Sequence, residues 1–172
     1  MTDQDAVGLD EAAERAVLPP RRLGLVATIA ALVLAVDQLT KNWAVSTLPG
    51  RAPIDVVGSL RFNLAYNTGA AFSFGAGKGL GPWIGLVAMV VVLGLALGMT
   101  SRFVLGAVAA GLVAGGALGN LADRAFRGDT GLLSGAVVDF IDLQWWPVFN
   151  VADAAVVVGA MLLVVAGLRA PA

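Results

Sequence analysis

Four stretches of the chain, roughly Leu23–Ala44, Pro82–Met99, Phe103–Leu121 and Val148–Leu168, are apolar over close to the length a membrane span requires. A spanning helix needs about 20 mostly apolar residues at 1.5 Å of rise each. Hydrocarbon offers nothing to an unpaired backbone N–H or C=O, so such stretches fold as helices that satisfy their own backbones. Composition agrees: 58% of residues are apolar and only 13% are charged, where a soluble domain carries about 25%. This excludes disorder and argues against a water-soluble globule. The first stretch follows Arg21-Arg22 as a secretory signal would. It is too long for one, ends in Asp37-Gln38-Leu39-Thr40-Lys41 and lacks a small-residue cleavage site, so it is read as a retained span.

The fold class expected is an all-α membrane protein, a four-transmembrane-helix bundle. Residues 1–20 hold Asp3, Asp5, Asp10, Glu11 and Glu14 and end in Pro19-Pro20, a polar composition that reads as a flexible tail. Residues 21–170 then form a single membrane-embedded domain. Thr100-Ser101-Arg102 makes a tight hairpin between spans two and three, whereas the connections at about 45–81 and 122–147 are long. Within the first, Arg61–Tyr66 alternates polar and apolar residues before the turn signal Asn67-Thr68-Gly69, which predicts a small β-element against the membrane. In the second, Trp145-Trp146 marks the headgroup zone. Gly111, Gly115 and Gly119 on span three, and Gly94 and Gly98 on span two, recur every four residues and predict close helix packing.

Four spans fix a parity that gathers the polar residues at one membrane level, on the side of the long loops. Asp37 and Lys41 end span one, Asn120 ends span three with Asp123-Arg124 beyond it, and Asn150 and Asp153 begin span four. Ionisable groups in a span are costly and face the bundle interior, paired or functional. Each also has a structural reading. Asp37 and Lys41 stand in the favourable i,i+4 order for an ion pair. Asn150 with Asp153 matches a helix cap. Asp123-Arg124 reads as an interfacial ion pair. Asp139 is odder, an acid in the apolar run Val137-Val138-Asp139-Phe140-Ile141.

The chain has no His and no Cys, which excludes His-dependent triads, thiolate nucleophiles, disulfides and imidazole or thiolate metal sites. No metal and no cofactor are expected. With 11 Lys+Arg against 12 Asp+Glu and no long basic run, nucleic acid is not an expected partner either. What remains suits aspartic-type hydrolysis, in which two carboxylates share a proton and activate water. Asp139 and Asp153 are the candidate pair; the positive end of span four favours an ionised Asp153 and leaves Asp139 to hold the proton. A Ser-Lys dyad from Lys41 or Lys78 with Ser46, Ser59 or Ser73 is the competing hydrolase. A small proton-coupled transporter and a non-catalytic scaffold are the alternatives outside hydrolysis.

Five blocks in order carry a resemblance: Asp37–Lys41, Asn67-Thr68-Gly69-Ala70-Ala71-Phe72-Ser73, Gly115–Arg124, Val137–Asp142 and Phe149-Asn150-Val151-Ala152-Asp153. Together they resemble the lipoprotein signal peptidases (signal peptidase II), bacterial inner-membrane aspartyl peptidases. The resemblance implies four spans with both termini cytoplasmic, a small extracytoplasmic β-element with an interfacial loop or helix, and a site near the outer leaflet. It implies cleavage of a prolipoprotein on the amino side of a diacylglyceryl-modified cysteine, membrane lipids as partners, and cyclic lipopeptides as inhibitors. It puts the catalytic dyad on Asp139 and Asp153, substrate-orienting roles on Asn67, Asn120, Arg124 and Asn150, and support on Asp37, Lys41 and Asp123. The Asp123–Asp139 connection is longer than the family's usual link, the acidic tail lies outside the resemblance, and Ala154 stands where the family often has serine. Admitting a bulky lipid and then excluding water predicts that residues near Asn67–Gly79 move on binding.

Overall fold

The computed structural model describes residues 19–68, 87, 90–92, 94–95, 98–128 and 133–168. Helix α1 spans Leu23–Thr47, α2 Val104–Phe126 and α3 Val151–Leu168. Among the described residues these are the three helices long and apolar enough to cross a membrane. The second expected span, 82–99, lies mostly outside the described residues, although its described positions at 87, 90–92, 94 and 95 are helical. A four-residue 3-10 helix, Met99–Arg102, leads into α2 as the hairpin expected there. Three helix ends depart from expectation, α3 starting at Val151 rather than Val148. Helix α1 gains three residues, and α2 runs five past Leu121, carrying Asp123 and Arg124 on helix rather than in a loop. Nothing breaks α2 between Leu121 and Phe126: Leu-Ala-Asp-Arg-Ala-Phe contains no Gly or Pro.

Helix α2 is the central helix, packed on both α1 and α3. Its glycines make this possible. A Cβ at Gly115 would lie 2.6 Å from Val33 Cβ and 2.7 Å from the Ala30 carbonyl, and one at Gly111 2.7 Å from Ile29 Cβ, so both face α1 at backbone range. Gly116 faces α3 instead, against the Ala152 carbonyl. Gly94 departs from the expected packing role, since a Cβ there would meet no described atom within 4 Å. The outward residues Leu32, Val36, Leu39, Val157, Met161 and Val164 are large, apolar and exposed, as lipid-facing positions are.

Three antiparallel strands cap one end of the bundle in the order β1 (Ile54–Val57), β2 (Leu60–Asn67) and β3 (Val137–Asp142). Strand β2 contains the alternating stretch Arg61–Tyr66. Its partner β3 falls in an almost continuously apolar run and is buried nearly throughout. Phe140 rests on Ala44 of α1 and on Leu48 just past its end, and meets Trp43 and Phe62 edge-on or tilted, with ring centroids 6.0 and 6.2 Å away. Neighbouring residues of a strand point to opposite faces, so Asp139 is turned away from that aromatic cluster.

After β3 the chain reverses. Asp142 Oδ1 accepts the Gln144 N–H at 2.7 Å, Gln144 takes a positive φ of 69°, and Trp145 and Trp146 are exposed at the turn. The returning Phe149 bridges Ile141 in antiparallel fashion, its carbonyl accepting from Ile141 N at 2.8 Å and its N–H donating to the Ile141 carbonyl at 3.0 Å. That bridge sets Asn150, the next residue, beside Asp139 at the start of α3.

Candidate active site

Asn150 is the N-cap of α3. Its Oδ1 accepts the Asp153 N–H at 2.9 Å, while the Asp153 carboxylate accepts the Asn150 N–H at 3.2 Å. This reciprocal arrangement is a capping box with aspartate in the third position. The same Asn150 uses its Nδ2 to donate to Asp139 Oδ1 at 2.6 Å. Both carboxylates are therefore tied to one residue. The cap and the site are the same atoms.

Asn120 of α2 closes the arrangement from the other side. Its Nδ2 donates to Asp153 Oδ1 at 2.8 Å, and its Oδ1 accepts from Asn150 Nδ2 at 3.1 Å. Asn67, at the end of β2, hydrogen-bonds the Asp139 side chain. Arg124, almost fully buried, donates through Nη1 to the Asn120 carbonyl at 3.3 Å and interacts electrostatically with Asp139 and Asp153. Asp139 is 3% exposed. Burial, and then the charge of Asp153, push its carboxyl up to about 7, against the hydrogen bonds from Asn150 and Asn67 and the charge of Lys41. A carboxyl neutral near pH 7 beside a second carboxylate is an acid and a base in one site.

Behind the pair lies a buried ion cluster. Lys41, Asp37 and Asp123 are all 0% exposed. The Lys41 ammonium directs its three donors at Asp37 Oδ2, Asp123 Oδ2 and Asn120 Oδ1, each at 2.9 Å. Asp37 also accepts the Ala152 N–H at 2.9 Å, and Asp123 the Val138 N–H at 3.0 Å. The i,i+4 pair read from the sequence is thus present. Asp123 is a buried member of this cluster, beside the Asp37 and Lys41 with which the resemblance groups it, and departs only from the reading of an interfacial ion pair with Arg124.

Two residues given no role by the sequence reading complete the cluster. Gln38 donates to Asp37, to Asp123 and to the Gly119 carbonyl, within 3.2 Å in each case. Arg127 pairs with Asp123 Oδ1 at 2.9 Å and reaches Asn42 Oδ1 at 2.7 Å. The four-residue spacing of Asp123 and Arg127 on one helix was the available signal for the second.

The Ser-Lys alternative fails for its described members. Lys41 has all three N–H groups committed, Ser46 donates to the Trp43 carbonyl at 2.9 Å within its own helix, and Ser59 is exposed. Ser73 and Lys78 lie outside the described residues, as does most of Asn67–Gly79. Among the described residues no group of three or more acids is placed to hold a metal ion.

Two solved structures share this architecture. A bacterial membrane enzyme determined by the in meso method at 2.3 Å resolution superposes with a TM-score of 0.75 at 27% identity, covering 89% of this chain and 93% of that one. Another, at 1.9 Å, gives a TM-score of 0.73 over 90% of this chain and 99% of that one. The class is accordingly a membrane enzyme fold of apolar helices capped by a small antiparallel sheet. The model of the family described as Signal peptidase (SPase) II matches residues 29–169. The lipoprotein signal peptidase of Mycobacterium avium (strain 104) is 49% identical over 151 residues, 86% of this chain and 80% of that protein. That of Rhodococcus jostii (strain RHA1) is 48% identical over 167 residues, 95% of this chain and 80% of its own. The chain belongs to the signal peptidase II family and is a membrane-embedded protease of lipoprotein processing.

Proposed function

We propose that the chain removes the signal peptide from diacylglyceryl-modified prolipoproteins by an aspartic mechanism, cutting on the amino side of the lipidated cysteine. The observation that carries this reading is Asn150 tied to both Asp139 and Asp153, beside an Asp139 carboxyl whose proton is held up to about pH 7. Asp153, which caps the positive end of α3 and accepts from Asn120, takes the part of the base. Asp153 takes a proton from water, and the resulting hydroxide attacks the scissile carbonyl while Asp139 gives its proton to the carbonyl oxygen. The tetrahedral intermediate collapses as the C–N bond breaks. The proton on Asp153 passes to the leaving amine, and Asp139 recovers its own.

Asn67 and Arg124 hold the peptide backbone against the pair, and Asn120 and Asn150 keep the two carboxylates oriented. The lipid anchor fixes the scissile bond at one depth, so the bilayer itself supplies much of the alignment. This reading carries with it a fourth span over about 82–99, a single domain over 21–170 behind a cytoplasmic tail of residues 1–20, both termini inside, and the site near the outer leaflet of the bacterial inner membrane. Cyclic lipopeptides of the kind that inhibit the family would compete for the same site.

The decisive test is cleavage of a diacylglyceryl-modified prolipoprotein by the purified protein in detergent, beside folded Asp139→Asn and Asp153→Asn variants. Cutting before the lipidated cysteine by wild type and by neither variant is expected. Full activity in either variant removes the dyad.

A further inference from the structure

The Lys41 cluster touches the proposed dyad at three points. Asp37 accepts the N–H of Ala152, the residue before Asp153, and Asp123 accepts the N–H of Val138, the residue before Asp139. Two carboxylates held by one ammonium thus each grip the backbone one position ahead of one aspartate. The third point is Asn120. A carboxamide can present either its oxygen or its N–H groups to a neighbour, and its surroundings decide which. Lys41 can only donate, so it takes Asn120 Oδ1 at 2.9 Å, and the Nδ2 is left to donate to Asp153 Oδ1 at 2.8 Å. Turning that amide over would set N–H against ammonium and oxygen against carboxylate. Asn150 follows the same polarity, its Nδ2 donating to both Asn120 Oδ1 and Asp139 Oδ1.

We infer that Lys41 is a positioning residue for the two aspartates: it fixes the direction of the Asn120 amide, so that Asp153 always meets a donor, and it anchors the backbone ahead of both acids through Asp37 and Asp123. This rests on the two-aspartate reading. The charged groups facing the pair among the described residues are Lys41 and Asp37 from α1 and Asp123 and Arg124 from α2; β2 contributes the neutral Asn67.

The test is the separate measurement of kcat and KM on a diacylglyceryl-modified prolipoprotein in detergent for wild type, Asn120→Ala, Asn120→Asp, Lys41→Gln and the Lys41→Gln/Asn120→Ala double variant. Asn120→Ala changes no charge; it is expected to lose about 10–100-fold in kcat with KM close to wild type, since Asp153 has lost the donor that aims it. Asn120→Asp is expected to fall below Asn120→Ala, because Lys41 holds one oxygen and leaves the other against Asp153. Lys41→Gln is expected to cost less in the Asn120→Ala background than in wild type. A loss in Asn120→Ala carried by KM with kcat unchanged, an Asn120→Asp at least as active as Asn120→Ala, or strict additivity of the double variant overturns the inference. If Lys41→Gln does not fold, the two Asn120 variants decide by themselves. Failure of the underlying reading shows separately, as retained activity in Asp139→Asn or Asp153→Asn, and overturns the inference with it.

Discussion

The Lys41 cluster and the Asp139–Asp153 pair lie side by side, share Asn120 and solve the problem of buried charge in opposite ways. In the cluster, three donors of one ammonium meet three acceptors at 2.9 Å, the Ala152 N–H takes Asp37 Oδ1, Gln38 and Arg127 take Asp123 Oδ1, and the Val138 N–H joins Lys41 on Asp123 Oδ2. Such saturation makes a rigid framework with no proton to give. In the pair, two acidic groups are held together by carboxamides, which orient a carboxylate without neutralising it. Burial, and then the repulsion of Asp153, raise the Asp139 carboxyl to about 7 and leave a proton available near neutral pH. A buried polar cluster becomes reactive where its charges are oriented and left unbalanced.

The largest effect that would break this contrast is on turnover. Asp139→Asn and Asp153→Asn, near-isosteric, are expected to lower kcat by about 10⁴-fold while leaving the melting temperature in detergent close to wild type. Lys41→Met should do the reverse in emphasis, leaving Asp37 and Asp123 without their ammonium at a cost of about 3–5 kcal/mol, read by unfolding in detergent. Asn150→Ala belongs to both regions. It loses a helix cap, about 1 kcal/mol, together with the link between the two acids, so stability and kcat fall together.

The pH response sharpens the comparison further. Activity is expected to decline as pH rises through about 7, where Asp139 gives up its proton. Its folded value lies above the ordinary aspartate value of 3.8, so the native state binds this proton more tightly than the unfolded chain. The associated stability is fully present below about 3.8 and is lost as pH rises through about 7, which paired activity and melting profiles would follow. The smallest effect concerns packing alone. Gly115→Ala forces a Cβ into Val33 and the Ala30 carbonyl and should cost about 1–3 kcal/mol, whereas Gly24→Ala, with open space around it, should cost nothing.

Much of this was legible in the sequence because bilayer physics writes in long, coarse signals. Three of the expected spans stand as helices, and their parity gathered Asp37, Lys41, Asn120, Asn150 and Asp153 at one level. The Asn150–Asp153 cap was readable because capping is local, four residues long and chemically specific. Strand β3 was not, since a strand buried on both faces has no alternation and Val137–Asp142 reads only as an apolar run with acids in it. The burial of Asp123 was missed for a related reason. Its partners Lys41 and Gln38 stand more than 80 positions away, and helix α2 continues past the point where its apolar character fades.

The bridge between Ile141 and Phe149 has a consequence for the order in which the site is assembled. The Asn150–Asp139 contact closes a loop of 11 residues, and the Lys41–Asn120 contact one of 79. For a flexible chain that difference is about 1.7 kcal/mol of closure entropy. The two acids therefore acquire their mutual spacing from a short hairpin that travels as a unit, while the ammonium that steadies them arrives only when distant helices meet. Solubilising conditions that pry the helices apart should release Lys41 first and leave the acids still facing one another, adjacent but no longer aimed.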